Sequence, residues 1–370
     1  MVRFAEQLIA ELRNMPDNLQ MLIEIMQHER CVCIWGTGVA GQTVCASVRK
    51  LGICPICFIN GSLSTDSGGS LLGLPVVSPK QIPKNAFVLV AADVKYGIHR
   101  LLAEQYPHPY SYIDPLLFNQ YTADRKKRVL DCYAAAADVI DRVYEAFCDD
   151  RSKQTFRNVL VHRAVHAPEL LWQVQENRQY FGNDLIPEVS GGFADCGAYD
   201  GDTLRAFLAQ IGDKDYRYYA FEPEEDNLRA LRQYVRDAGA DRVQIYGIGL
   251  WDRKKRLGLI GNDAGDTLAW KLGSCCGDDA AAIEVDALDH VLQNEEIRFI
   301  KMDIEGSELR ALDGAQALIA RCQPVLAISS YHELEHLWEV PAKICTLRPG
   351  CRLGCRHHSW NMADTVCYGI

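Results

Sequence analysis

No stretch of this chain reaches the ~18 consecutive apolar residues that a bilayer-spanning helix needs, so no span is expected. Positive charge is in short supply too. The 39 Lys and Arg stand against 49 Asp and Glu, a formal net charge of −10. That balance repels phosphate backbones, which sets nucleic acid aside as a partner. The first thirty residues lack an uninterrupted apolar core, because Glu6, Glu11 and Arg13 break it. A secretory signal is therefore not read there, and a cytoplasmic location with no membrane partner is expected. Internal repeats and low-complexity tracts are missing. The 15 cysteines are odd in number and scattered, mostly through apolar strand-like runs. Cys54-Pro-Ile-Cys57 has no second pair at zinc-site spacing. Buried thiols packing as small hydrophobes are expected, and no disulfide framework. No compact His/Asp ligand set stands in the sequence either, so no metal is the first reading, with a divalent ion held by Asp303 and a neighbour left open.

What is present suits a globular protein of two ordinary domains: 370 residues, 48% apolar and 24% charged. Residues 1–30 carry two helical patterns split at Pro16, with Asp17 or Asn18 placed to cap the second. Residues 31–118 open with an apolar strand, Cys31–Trp35, that runs into Gly36-Thr-Gly38-Val-Ala-Gly41 and a helix. This is the strand–turn–helix setting in which G-x-G-x-x-G binds dinucleotides. Where such a site places its ribose-binding acid, the chain has Asn60. Gly36, Gly38, Gly41 and Asn60 are thus a candidate nucleotide loop, and three readings stay open for it. It binds a nucleotide or sugar nucleotide, it is a scaffold that binds nothing, or it holds a nicotinamide cofactor. Residues 119–190 read as a helical connector. From 191 to 370 strands and helices alternate as in a doubly wound parallel sheet. The expected class is α/β with two Rossmann-like doubly wound sheets.

Three strand ends in this last region finish in acids. Gly192–Thr203 reads G-F-A-D-C-G-A-Y-D-G-D-T, Tyr218–Phe221 runs into Glu222-Pro223, and Ile297–Met302 into Asp303-Ile-Glu305-Gly306. Acids and a glycine-rich turn at the carboxyl ends of parallel strands describe a nucleotide-type site. D-C-G-A-Y-D-G-D-T, F-E-P and K-M-D-I-E-G-S-E, in that order, closely resemble the FkbM family of S-adenosylmethionine-dependent methyltransferases. S-S-Y-H-E-L-E-H-L-W-E-V-P at 329–341 and D-T-V-C-Y at 364–368 are similar to its closing strands, and the resemblance runs from Gln179 to Ile370. It implies a seven-stranded class I sheet with an antiparallel last hairpin, S-adenosylmethionine as cofactor, and O-methyl transfer to a sugar, a nucleotide sugar or a secondary-metabolite alcohol. L-G-L-P-V-V-S-P at 72–79 resembles a connection in sugar-nucleotide-binding domains that precede some transferases.

Glu222 is expected to take the ribose diol, while Asp195 and the amides of Gly197–Gly201 are expected to hold the methionine end. Ala198, Thr203, Pro223, Gly249 and Asp303 complete the cofactor set. Gly249–Asp252 would line the adenine. A hydroxyl acceptor calls for a general base, worth about 10²–10⁴ in rate. Asp303 is the first choice, His332 the second, and His357 of the pair His357-His358 the third. Glu305 and Glu308 read as flanking the following helix. Met302-Asp-Ile-Glu305 stands where amide N-methyltransferases carry Asn/Asp-Pro-Pro-aromatic, which favours a hydroxyl acceptor. A small molecule is the expected partner, and a homodimer is left open. The alternative functions are a nicotinamide-dependent oxidoreductase or a sugar-nucleotide-binding protein working through the first domain.

Overall fold

The computed structural model describes residues 3–62, 68–93, 97–186, 189–212, 214–261, 270–273 and 282–370; side chains are not described at 259–261 and 270–273. The polar, glycine-rich region 251–282, with G-N-D-A-G-D and G-S-C-C-G-D-D, reads in the sequence as an irregular excursion over the site; its residues 262–269 and 274–281 lie outside the described ones. The chain forms two compact units. The first holds residues 1–137, 157–175 and 359–363; the second holds 138–156, 176–358 and 364–370.

In the first unit, six strands form one sheet: β1 (Val32–Trp35), β2 (Cys57–Ile59), β3 (Ser70–Leu71), β4 (Leu74–Val77), β5 (Phe87–Val90) and β6 (Tyr110–Tyr112). Their order is β3-β4-β2-β1-β5-β6, parallel throughout except for the β3–β4 pair. The central strands read V-C-I-W, C-F-I and F-V-L-V with every residue buried. Helices cover both faces of such a sheet, so its strands are apolar runs rather than alternating ones. The helix Asn18–His28 is capped by Asp17, whose Oδ1 accepts from the amides of Leu19 and Gln20. Its Leu19, Leu22, Ile23 and Met26 join the core of this sheet. Cys33 and Cys57 face each other across β1 and β2 with their sulfurs 3.3 Å apart, both buried, and the 13 described cysteines are all free thiols.

The second unit is built on seven strands: β7 (Gly191–Cys196), β8 (Tyr216–Phe221), β9 (Val243–Tyr246), β14 (Ile297–Met302), β15 (Val325–Ser329), β16 (Leu353–His357) and β17 (Thr365–Gly369). The order is β16-β17-β15-β14-β7-β8-β9, with β17 antiparallel to both neighbours and the rest parallel. Strands β10 (Gly249–Leu250), β11 (Lys255–Gly261), β12 (Trp270–Gly273) and β13 (Ala282–Asp286) form a separate small sheet. The register is held by aromatic rings. Phe193 stacks between Tyr218 of β8 and Phe299 of β14, with centroids 5.0 and 4.8 Å away. Cross-strand aromatic pairs of this kind add about 0.5–1.5 kcal/mol beyond the area they bury. Because β7, β8 and β14 run parallel and in register, Cys196, Phe221 and Met302 end level. The residues that follow them share one rim. The α/β class with two mostly parallel sheets is as the sequence implied.

Candidate active site

The loop after β7 is folded largely by its own amides. Gly197 and Ala198 donate to the Phe221 carbonyl, Tyr199 donates to Glu222 Oε2 at 2.9 Å, and Gly201 donates to the Ala198 carbonyl. Four of the five amides expected to face the methionine end thus point inward. Gly197 has another reason to be glycine. It sits at φ +87°, and a Cβ there would lie 1.9 Å from the Asp303 carbonyl oxygen. The missing side chain lets the ends of β7 and β14 close together. Tyr199 takes a left-handed φ of +46° and leaves its ring exposed. Ala198 and Thr203 are buried, Gly201 caps the helix Asp202–Ile211, and Pro223 is half-buried. Gly249 is buried in the small sheet, paired with Val285.

Asp195 belongs to the interior. It has no exposed surface; its Oδ2 accepts from the Tyr218 hydroxyl at 2.5 Å and its Oδ1 lies 3.0 Å from Lys301 Nζ. Lys301 stands directly across β14 from it and also donates to the Gly197 carbonyl. Burial works against the Lys301 ammonium, but the charges of Asp195 and Asp303 outweigh it and hold the pKa above its usual range. Burial likewise raises Asp195, with Lys301 opposing. Sequence reasoning missed Lys301. The available signal is a lone cation in the otherwise apolar end of Phe299-Ile-Lys-Met302.

Glu222 ends β8 with its carboxylate fixed at both oxygens. Oε2 accepts from Tyr199 N and Oε1 from Glu224 N, each at 2.9 Å. Burial raises its pKa, and the two amides oppose that rise. A carboxylate offers about four lone-pair sites, so about two stay available beyond those amides.

Past β14 and β15 a second group converges. His332 Nε2 is 3.4 Å from Asp303 Oδ1 and 3.3 Å from Glu305 Oε2, and its Nδ1 is 3.0 Å from Glu308 Oε1. The Tyr331 hydroxyl donates to Asp303 Oδ1 at 3.2 Å. Glu308 is fully buried at the start of the helix Glu308–Asp313 and accepts from the amides of Ile304 and Gly306. Burial would lower the His332 pKa; Glu308, Asp303 and Glu305 together lift it to about 9. With that shift the ring faces these carboxylates as a cation through neutral pH. Asp364, at φ +57°, is pushed up to about 6 by burial and by the Asp303 charge.

The structure therefore brings Glu222, the loop after β7, Asp303 and His332 to the carboxyl edge of one sheet. His357 ends β16 on that same edge, because β16 and β15 both run antiparallel to β17, but its side chain stays inside the protein. That side chain is fully buried at the end of β16, three strands from β14, with Nδ1 2.9 Å from Thr365 Oγ1. His358 is likewise internal, with Nε2 2.8 Å from the Tyr368 hydroxyl, and burial lowers its pKa to about 4.

In the first unit, a Cβ on Gly36 would meet the Ala91 carbonyl oxygen at 2.7 Å, and one on Gly41 would meet that of Gly36 at 2.0 Å. A Cβ on Gly38 would meet nothing within 4 Å. Two of the three glycines thus serve the fold. Asn60 turns its side-chain oxygen to the Ser62 amide at 3.0 Å, closing a local turn.

The comparisons agree with this topology. Residues 195–347 match the family model of the methyltransferase FkbM domain, the family that the sequence resembles there. A crystal structure of methyltransferase FkbM from Methylobacillus flagellatus KT superposes with a TM-score of 0.74 at 23% identity, covering 99% of this chain and 98% of that one. At that identity the likeness speaks for the fold. An rRNA methylase from Streptococcus thermophilus (16% identity, 50% of this chain, 87% of that one) gives a TM-score of 0.32. Aeropyrum pernix fibrillarin, solved with bound S-adenosyl-L-methionine (12% identity, 51% and 70%), gives 0.31. A search of curated proteins finds no match. Among the described residues, no helix is long and apolar enough to cross a membrane.

Proposed function

We propose that the second unit binds S-adenosylmethionine and transfers its methyl group to a hydroxyl of a small acceptor, a sugar, nucleotide sugar or secondary-metabolite alcohol. The observation that carries this reading is Glu222: a buried carboxylate at the end of the strand beside β7, held at both oxygens by backbone amides, with about two lone-pair sites left for a ribose diol. The donor chemistry fits the cofactor there. Toward the methionine end the fit rests on the rim as a whole, since Asp195 and four loop amides are engaged inside the protein. When bound, S-adenosylmethionine supplies an electrophilic methyl group on a sulfonium centre. Asp303, partly exposed at the end of β14, accepts the proton of the acceptor hydroxyl as the oxygen gains its methyl. The Tyr331 hydroxyl holds its carboxylate in place, and most of the rate comes from positioning.

The test is calorimetric titration of S-adenosylmethionine into the intact chain, followed by transfer of labelled methyl to a panel of hydroxylated acceptors. One-site binding and a labelled ether, lost in Asp303→Asn, is the expected result. A chain that binds no S-adenosylmethionine sinks the reading, and nucleotide sugars and NADH tested on the first unit become the next step.

A further inference from the structure

Four buried polar atoms beyond β14 and β15 have no hydrogen-bond partner: both ring nitrogens of His332, Nδ1 of His336 and Oε2 of Glu308. Their side chains are 7%, 6% and 0% exposed. Carboxylate oxygens approach them to 3.0–3.4 Å, yet none is aligned to accept a hydrogen bond. Buried polar groups are paired in the great majority of cases, and an unexplained cluster of them points to a bound ion or water. Here the orphans include imidazole nitrogens facing carboxylates, the donor set of a metal centre.

We propose that Asp303, Glu308 and His332 bind one divalent first-row transition-metal ion. One ligand atom from each lies within 4.8 Å of the other two. Ligands held by ~2.1 Å bonds stand at most about 4.2 Å apart, so a small rotamer adjustment closes the site. Two carboxylates and an imidazole suit ions of the manganese-to-zinc range, and three protein ligands leave coordination positions open, as catalytic centres do. His336, against Glu308 Oε2 at 3.3 Å, orients that carboxylate from behind. The ion takes the place of the His332 proton as the positive charge that Asp303, Glu305 and Glu308 face. A role for the open positions in holding the acceptor oxygen rests on the methyl-transfer reading; binding of the ion does not.

The experiment is titration of the metal-stripped full-length chain with Mn²⁺, followed by electron paramagnetic resonance, without cofactor or acceptor. Binding and methyl transfer can therefore fail separately. One Mn²⁺ per chain is expected, with affinity at least tenfold weaker in Asp303→Asn and in His332→Gln. Circular dichroism checks that both variants fold; if the buried His332→Gln does not, Asp303→Asn decides, since Asp303 is 23% exposed. Absence of saturable Mn²⁺ binding up to about 1 mM (−4.1 kcal/mol), or equal affinity in the folded variants, overturns the proposal.

Discussion

Replacing Glu222 by alanine separates the cofactor's contact from the loop's own needs. In the intact protein each carboxylate oxygen accepts one backbone amide at 2.9 Å and keeps about one further site for a ribose hydroxyl. Two charge-assisted hydrogen bonds of about 1.5–3 kcal/mol each set an upper bound of about 3–6 kcal/mol. Water partly replaces the lost oxygens at a rim position, so the measured loss of S-adenosylmethionine affinity is expected at tenfold to a hundredfold, about 1.4–2.8 kcal/mol. Glutamine is not a benign control. Because both oxygens accept from N–H groups, its amide nitrogen must face either Tyr199 N or Glu224 N, donor against donor. Glu222→Gln is therefore expected to bind no better than Glu222→Ala and to melt at lower temperature than the parent. Glu225, exposed on the next helix, supplies the neutral control as Glu225→Ala. Titration calorimetry with melting curves on all four proteins tests the reasoning. Parent-like affinity in Glu222→Ala refutes it.

Three further outcomes concern the frame of the site. Lys301→Met leaves Asp195 buried without its cation, and removing one partner of such a pair costs about 3–5 kcal/mol; urea unfolding should show this, with the loss largely recovered when Asp195→Asn is added. Gly197→Ala should lose at least the roughly 1–3 kcal/mol of a left-handed backbone and expose β7 and β14 amides to hydrogen exchange, because its Cβ runs into the Asp303 carbonyl. Asp149 supplies the pH dependence. Burial would raise its pKa, but the Arg356 guanidinium and the Ser152 amide hold it at about 2. A depressed carboxylate stabilises the fold fully above its unfolded pKa of about 3.8 and loses that contribution as pH falls through about 2. Acid titration of stability should be shallower over that window in Asp149→Asn, and an unchanged slope would assign the acid sensitivity elsewhere.

What the sequence made legible is what local patterning dictates. The apolar runs at Phe193, Tyr218, Ile297 and Val325 are parallel strands buried on both faces, and the residue after each is carried to the rim by the register. Glu222 and Asp303 could be placed for that reason alone. Asp195 shows the limit of the same logic. An acid at a strand end reads identically whether it meets solvent or a lysine on the next strand, and only the pairing of β7 with β14 reveals Lys301 opposite it. The glycines misled in a similar way. Gly197 and Gly41 suggest room for a ligand, yet each is needed because another carbonyl of the same chain comes within about 2 Å of where a Cβ would be. The group of Asp303, Glu308, His332 and His336 was the least legible. Its members are carried by two segments with a whole strand between them, so no ligand spacing exists along the chain. They meet because β15 pairs beside β14, with Met302 opposite Ile328 and β15 ending one residue later at Ser329. Glu308 alone looked like a helix-flanking acid, and its Ile304 and Gly306 contacts agree. What the local reading missed is that the same carboxylate also faces two histidines, Oε1 toward His332 and Oε2 toward His336, which it could not reach in an extended chain.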